Sequence, residues 1–104
     1  MRRLPPLKAL PAFEISADRL SFSAAASQLH LTHGAISRQI RTLEDQLGVP
    51  LFRRFNRRIE LTEAGAAFLP SVRQALQLLE TASGQVFDQT KSGPLVVPKT
   101  SLAT

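Results

Sequence analysis

Apolar positions along this chain recur at helical intervals, broken by short polar stretches and by one pair of brief alternating runs. Leu7, Leu10, Phe13 and Ala17 repeat at three and four, which predicts a first helix over Leu7–Leu20. Pro11 lies inside this stretch and has no N–H to donate, so the helix must begin close to it or the ladder breaks. Ser21, Phe22 and Ser23 end that helix and offer N-cap side chains for a second one, over about Ala24–Leu29. Its run Ala24, Ala25, Ala26 lets another helix approach closely, and Leu29 and Leu31 are expected to point into the core.

After the turn His30-Leu31-Thr32, the Thr32 hydroxyl can cap a third helix. Ile36, Ile40, Leu43 and Leu47 repeat at four, three and four, a single buried stripe. His33, Gly34, Ser37, Arg38 and Arg41 occupy the opposite face. Gly48 follows the last apolar position, where a helix C-terminus favours a left-handed residue. Pro50 prevents continuation. Leu51–Phe55 and Arg58–Leu61 then read as two short strands with Asn56-Arg57 at the turn between them.

Thr62 ends the second strand and caps a fourth helix, expected over Glu63–Phe87, with Glu63 favourable in its first turn. Leu69, Val72, Leu76, Leu79, Ser83 and Val86 alternate at three and four, the spacing of a coiled-coil seam with one polar interruption. Pro70 predicts a bend. At about 1.5 Å per residue the helix would be about 35–40 Å long, a stripe too long for one small domain to cover. Gly93-Pro94 ends it. Leu95-Val96-Val97 could form one strand, and residues 98–104 are expected to lack order. The fold class is therefore mostly α, a winged helix-turn-helix of three helices and a two-stranded wing followed by a long helix. The expected divisions are residues 1–61, 62–90 and a tail, 91–104.

Composition sharpens this picture. The 104 residues contain no Cys, which excludes disulfides and thiolate metal sites and fits a reducing cytoplasm. The opening Met1-Arg2-Arg3-Leu4-Pro5-Pro6 lacks the apolar run of a signal peptide, and no stretch is apolar enough to span a bilayer. Thirteen Lys and Arg against eight Asp and Glu give a formal charge of +5. Between Thr32 and Arg58 lie six arginines (38, 41, 53, 54, 57, 58) and two acids (Glu44, Asp45), so that segment alone carries +4. Arginine clustered in this way is the electrostatic footprint of a phosphate-backbone binder.

The arrangement of these residues points to double-stranded DNA. A helix fits the major groove, where every base pair presents a distinct donor and acceptor pattern. Thr32, His33, Gly34, Ser37 and Arg38 are the positions that would read it. Gly34 lets backbone approach, and Arg38 can reach a guanine edge or a phosphate. Arg57 at the wing tip is placed for a narrow A·T-rich minor groove, which attracts arginine. Arg53, Arg54 and Arg58 read as phosphate contacts. Arg41 and Arg53 serve either as DNA contacts or as partners of an acid such as Glu44. Leu69, Val72, Leu76, Leu79 and Val86 would form a dimerisation seam.

The run from Leu20 to Arg54, with Ala24-Ala25-Ala26, Leu31-Thr32, Ile36-Ser37-Arg38, Leu43-Glu44 and Leu47-Gly48 through Leu51-Phe52-Arg53-Arg54, resembles the signature of LysR-type transcriptional regulators. Ile59-Glu-Leu-Thr-Glu-Ala-Gly65 is similar to the strand and helix start that follow it. The likeness covers about residues 7–90. Leu4-Pro-Pro-Leu7, Leu20-Ser-Phe22 and Thr32–Ser37 are most similar to the branch containing the glycine-cleavage and β-lactamase activators. His33 stands where the family commonly has Gln.

The resemblance implies a bacterial, cytoplasmic, nucleoid-associated regulator, dimeric through the long helix on interrupted dyads, with a tetramer open to the full-length protein. It also implies an effector domain of about 200 residues that is missing here, its first strand cut short at Leu95-Val96-Val97. A truncated chain of this kind would have no inducer pocket, small-molecule ligand or cofactor.

Other classes fit less well. Ser37 and His33 share a face but lack an orienting carboxylate for catalysis. His30 and His33 lack a third ligand for a metal, and His30 reads as a turn residue. Phe13, Phe22 and Phe52 read as core. The absence of Trp and Tyr disfavours single-stranded nucleic acid. A protein-interaction module that pairs through the long helix is the competing reading, and a dominant-negative fragment that heterodimerises with a full-length regulator is an alternative compatible with DNA binding. The first gives no reason for arginines on the third helix and wing.

Overall fold

The computed structural model describes residues 2–92, with side chains described through residue 89. The chain runs α1 (Ala9–Arg19), α2 (Phe22–Leu29), α3 (His33–Leu47), β1 (Phe52–Arg54), β2 (Ile59–Leu61) and α4 (Glu63–Ser92). The expected strand at Leu95–Val97 and the expected disorder of 98–104 fall outside the described residues. By its contacts the chain forms two compact units, one extending to Arg73 and the other starting at Gln74.

Helix α1 begins two residues before Pro11. Pro11 therefore sits in the first turn, where its missing N–H would have had no intrahelical acceptor. Capping sets the other starts. Ser21 Oγ accepts from the Ala24 N–H at 3.0 Å, so α2 begins at Phe22, earlier than expected. Thr32 Oγ1 accepts from the Ala35 N–H at 3.0 Å and starts α3. Thr62 Oγ1 accepts from the Gly65 N–H at 3.0 Å and donates to the Pro50 carbonyl at 2.7 Å, tying the start of α4 to the root of the wing.

The first three helices end alike. Leu20, His30 and Gly48 adopt left-handed backbone, with φ of 48°, 57° and 75°. In each case the N–H of the following residue reaches back into the last turn: Ser21 to Ser16, Leu31 to Ala26 and Val49 to Glu44. This closure satisfies carbonyls that the helix end leaves open. Only Gly48 does so without the steric penalty of a side chain. His30 is thus the residue that turns α2 into α3.

The core of the first unit is Phe13, Ile36, Ile40, Leu43 and Leu51, all essentially inaccessible to solvent. Phe13 packs edge-on against Phe52 at 5.7 Å and at a tilt against Phe68 of α4 at 5.6 Å, and Phe22 packs edge-on against Phe52 at 5.4 Å. Such pairs add stability beyond simple area burial. Arg73 makes a two-point contact with Asp18 of α1, which raises the arginine's pKa above its ordinary value. The first turns of α4 therefore belong to this unit.

Three leucines expected inside are not. Leu7 precedes α1, and Leu31 follows the left-handed His30 and turns outward. Leu47 lies in the last turn of α3, where Glu44 takes the buried face instead; all three are exposed.

Strands β1 and β2 are antiparallel, with Phe52 opposite Leu61, Arg53 opposite Glu60 and Arg54 opposite Ile59. They are shorter than expected because Phe55 and Arg58 close the loop, the Phe55 N–H donating to the Arg58 carbonyl at 2.9 Å. Asn56 and Arg57 form the tip.

Helix α4 runs through Pro70 and beyond the expected Phe87 to Ser92. Val72, assigned to the dimerisation seam by spacing, is 2% exposed. It packs within the first unit, so its side chain offers no surface to a second chain. Leu69 and Leu76 are half-buried. In the second unit Leu79 and Val86 are exposed. With Ala82, Ser83 and Phe87 they line a shallow apolar depression of about 470 Å³. Among the described residues no helix is long and apolar enough to cross a membrane, and no cluster of His and carboxylates could hold a metal ion.

Candidate nucleic-acid interface

The outward face of α3 begins with backbone. Its cap satisfies the Ala35 N–H, and Ile36 donates to the Thr32 carbonyl at 3.1 Å. The N–H groups of His33 and Gly34 are the first two of the helix, have no intrahelical acceptor, and point outward with the positive end of the helix dipole. Thr32, His33, Gly34, Arg38 and Arg41 are exposed and Ser37 is half-buried. A Cβ built on Gly34 would lie 3.8 Å from Arg38 Nη1, so the guanidinium folds back over the N-terminal turn.

A cleft of about 480 Å³ separates α3 from the wing. His33, Ser37 and Arg41 form one wall, Arg54, Asn56, Arg57 and Arg58 the other, and Leu20–Ser23 the floor. Six of the ten positions expected to touch DNA thus border one concavity. Arg38 instead borders a second hollow on the other flank of α3, with Pro6, Lys8, Gln39 and Thr42. Arg53 lines neither.

The arginines are not equivalent. Among the described residues, no ion pair engages Arg38, Arg41, Arg53 or Arg57. Arg58 pairs with Glu60 at 3.3 Å and stacks over the Phe55 ring at 4.5 Å, while remaining 65% exposed. An exposed pair of this kind contributes little and exchanges readily. Arg54 donates from Nη2 to Glu44 Oε1 at 3.2 Å and lies over the Phe22 ring at 5.4 Å. The acid considered as a partner for Arg41 or Arg53 is therefore taken by Arg54.

Sequence reasoning offered Glu44 only as an ion-pair partner and missed its buried structural role. Its side chain is 10% exposed, and its Oε2 accepts from the Leu51 N–H at 2.7 Å and from the Phe52 N–H at 3.2 Å. A buried carboxylate persists only when paired and hydrogen-bonded, and here three donors converge on it. The signal was legible: Glu44 stands four residues after Ile40 and three before Leu47, on the apolar stripe. Lys8, brought beside Arg38 by the start of α1, and Ser23, on the cleft floor, carried no such signal. His33 also has an unforeseen neighbour, since Phe22 packs against its ring edge-on at 5.9 Å and restricts the imidazole's orientation.

Residues 7–66 match the family model described as bacterial regulatory helix-turn-helix protein, lysR family. The chain is 49% identical over 82 residues to the carbapenem-hydrolyzing beta-lactamase transcriptional activator of Enterobacter cloacae, covering 79% of this chain and 28% of that protein. It is 42% identical over 96 residues to the glycine cleavage system transcriptional activator of Escherichia coli K12, covering 92% of this chain and 32% of the activator. The chain thus spans about a third of the length of these curated relatives. Among solved structures, the DNA-binding domain of CbnR in complex with DNA superposes with a TM-score of 0.74 at 37% identity, covering 81% of this chain and 97% of that one.

Proposed function

Because the chain belongs to the LysR family of bacterial helix-turn-helix regulators, we propose that it binds double-stranded DNA sequence-specifically and serves transcription regulation in the bacterial cytoplasm. The observation that carries this reading is the cleft, with the outward face of α3 on one side and the arginine-tipped wing on the other. Helix α3, fifteen residues long, enters the major groove by its N-terminal end. There Gly34 admits the backbone, and His33, Ser37 and Arg38 meet base edges. Arg57 reaches into the neighbouring minor groove, while Arg41, Arg53 and Arg58 neutralise phosphates and fix register. The likeness to a domain solved on DNA supports the same seating.

Two copies pair through the exposed apolar face of α4 around Leu79 and Val86. The pairing is antiparallel and two-fold, so the target is an interrupted dyad whose half-sites repeat the protein's symmetry. In a longer chain an effector-binding domain would follow α4.

The test is fluorescence polarisation on a duplex that the protein selects from a random pool. Three phosphate contacts per protomer make six per dimer. Affinity should then fall by about a thousandfold between 50 and 200 mM salt. Binding that ignores salt, or no preference for the selected duplex over its scrambled version, would refute the proposal.

A further inference from the structure

Arg54 has the charge and the location of a DNA contact, but its side chain is committed elsewhere. Its guanidinium edge is on the Glu44 carboxylate and its face is on Phe22, and it is 28% exposed against 65% for Arg58 in the same wing. Glu44 belongs to the last turns of α3 and also holds the Leu51 and Phe52 N–H groups at the root of β1. Phe22 belongs to the first turn of α2 and touches His33 in the first turn of α3. The contacts therefore form a closed circuit that leaves α3 at Glu44, crosses to the wing at Arg54, passes to α2 at Phe22 and returns to α3 at His33.

Resting on the DNA-binding reading above, we propose that Arg54 is a positioning residue and not a phosphate contact. With Glu44 and Phe22 it sets the stance of the wing against α3, so that Arg57 and the N-terminal end of α3 engage one duplex at the same time. Three physical points support this. A guanidinium that left Glu44 for a phosphate would strand a nearly buried carboxylate. The planar fork is used on two sides at once, edge to carboxylate and face to ring, which a lysine ammonium cannot reproduce. And the pair is neutral, so it adds little net attraction for a polyanion, whereas among the described residues no ion pair compensates Arg38, Arg41, Arg53 or Arg57.

The roles separate when the salt dependence of binding is read together with the footprint. Each phosphate contact contributes about 0.9 to the slope of log affinity against log salt, or about 1.8 per dimer for one residue. The variant Glu44→Gln/Arg54→Met removes the ion pair without changing its net charge, and the amide carbonyl it introduces can still accept from the Leu51 and Phe52 N–H groups. Arg54→Lys keeps the charge but loses the two-sided grip. Both are measured on the selected duplex beside the wild type and Arg57→Ala, with hydroxyl-radical footprinting.

For a positioning residue, both variants bind at least tenfold more weakly. They lose the minor-groove protection beside each half-site, and their slope falls only as far as that of Arg57→Ala, whose contact they displace. A double variant whose slope falls by about 1.8 with the footprint intact would make Arg54 a phosphate contact and overturn the proposal. So would full wild-type affinity and footprint in Arg54→Lys. The lysine variant decides the matter if the double variant fails to fold. A wild-type chain that binds no duplex would instead strike at the DNA-binding reading itself.

Discussion

Gly65 is the position where a single methyl group should do most damage. It lies in the first turn of α4, and in an exposed helix the change from Gly to Ala stabilises by about 1 kcal/mol. Here a Cβ would stand 2.3 Å from the Leu51 carbonyl oxygen, 2.8 Å from Leu61 Cδ2 and 3.2 Å from the Leu51 carbonyl carbon. Carbon and oxygen approach each other to about 3.3 Å even in favourable contacts, so backbone must move by about 1 Å. That backbone is pinned, because the Leu51 carbonyl accepts from the Thr62 N–H at 3.0 Å and the Leu51 N–H donates to Glu44 at 2.7 Å. Overpacking costs about 1–3 kcal/mol and a weakened hydrogen bond about 1 kcal/mol. Against the helix gain, the net loss for Gly65→Ala is about 2 kcal/mol, which lowers Tm by about 10 °C in a domain of this size. Gly84 has nothing within 4 Å of its notional Cβ and serves as the control. Thermal melts followed by circular dichroism should show Gly84→Ala at or above the wild type and Gly65→Ala well below it. If the two variants melt together, the contact between α4 and the wing root is not what the geometry implies.

Other perturbations probe different links. Ser16 Oγ is buried with no hydrogen-bond partner among the described residues, so Ser16→Ala should raise stability by about 1 kcal/mol, read as a higher urea midpoint; a lower midpoint contradicts this. Arg38→Ala should relax base preference at one position of each half-site at a cost of about 1–3 kcal/mol. Uniform loss across all sequences would reduce it to a phosphate clamp. Arg57→Ala should weaken binding about tenfold on duplexes with A·T flanks and much less on G·C flanks, since the narrow groove is what attracts arginine; equal losses would place it outside the minor groove. Val86→Asp puts a charge into the apolar face of α4 and should convert a dimer to a monomer in sedimentation velocity; an unchanged profile would move the pairing surface elsewhere.

Local chemistry in the sequence was enough to determine the order of elements. Thr32 and Thr62 as caps, Gly48 as a terminator, Asn56-Arg57 as a tip and the stripe Ile36, Ile40, Leu43 all act within a few residues, so periodicity and capping rules reach them. The same local logic failed where burial depends on what lies across the molecule. Spacing put Val72 in a seam with Leu79, yet Val72 is covered inside the first unit and Leu79 is exposed. Spacing put Leu31 and Leu47 inside, yet the left-handed His30 turns one away and the carboxylate of Glu44 takes the place of the other.

The charge cluster between Thr32 and Arg58 points to a polyanion partner without any coordinates, because the sum of charges over a segment follows from residue order alone. Which arginines are uncommitted was decided only by the tertiary structure. Arg54 and Arg57 are alike in sequence and three residues apart, but one meets a buried carboxylate and an aromatic face and the other meets solvent. That difference arises from partners far away along the chain, brought close only when α2, α3 and the wing pack together.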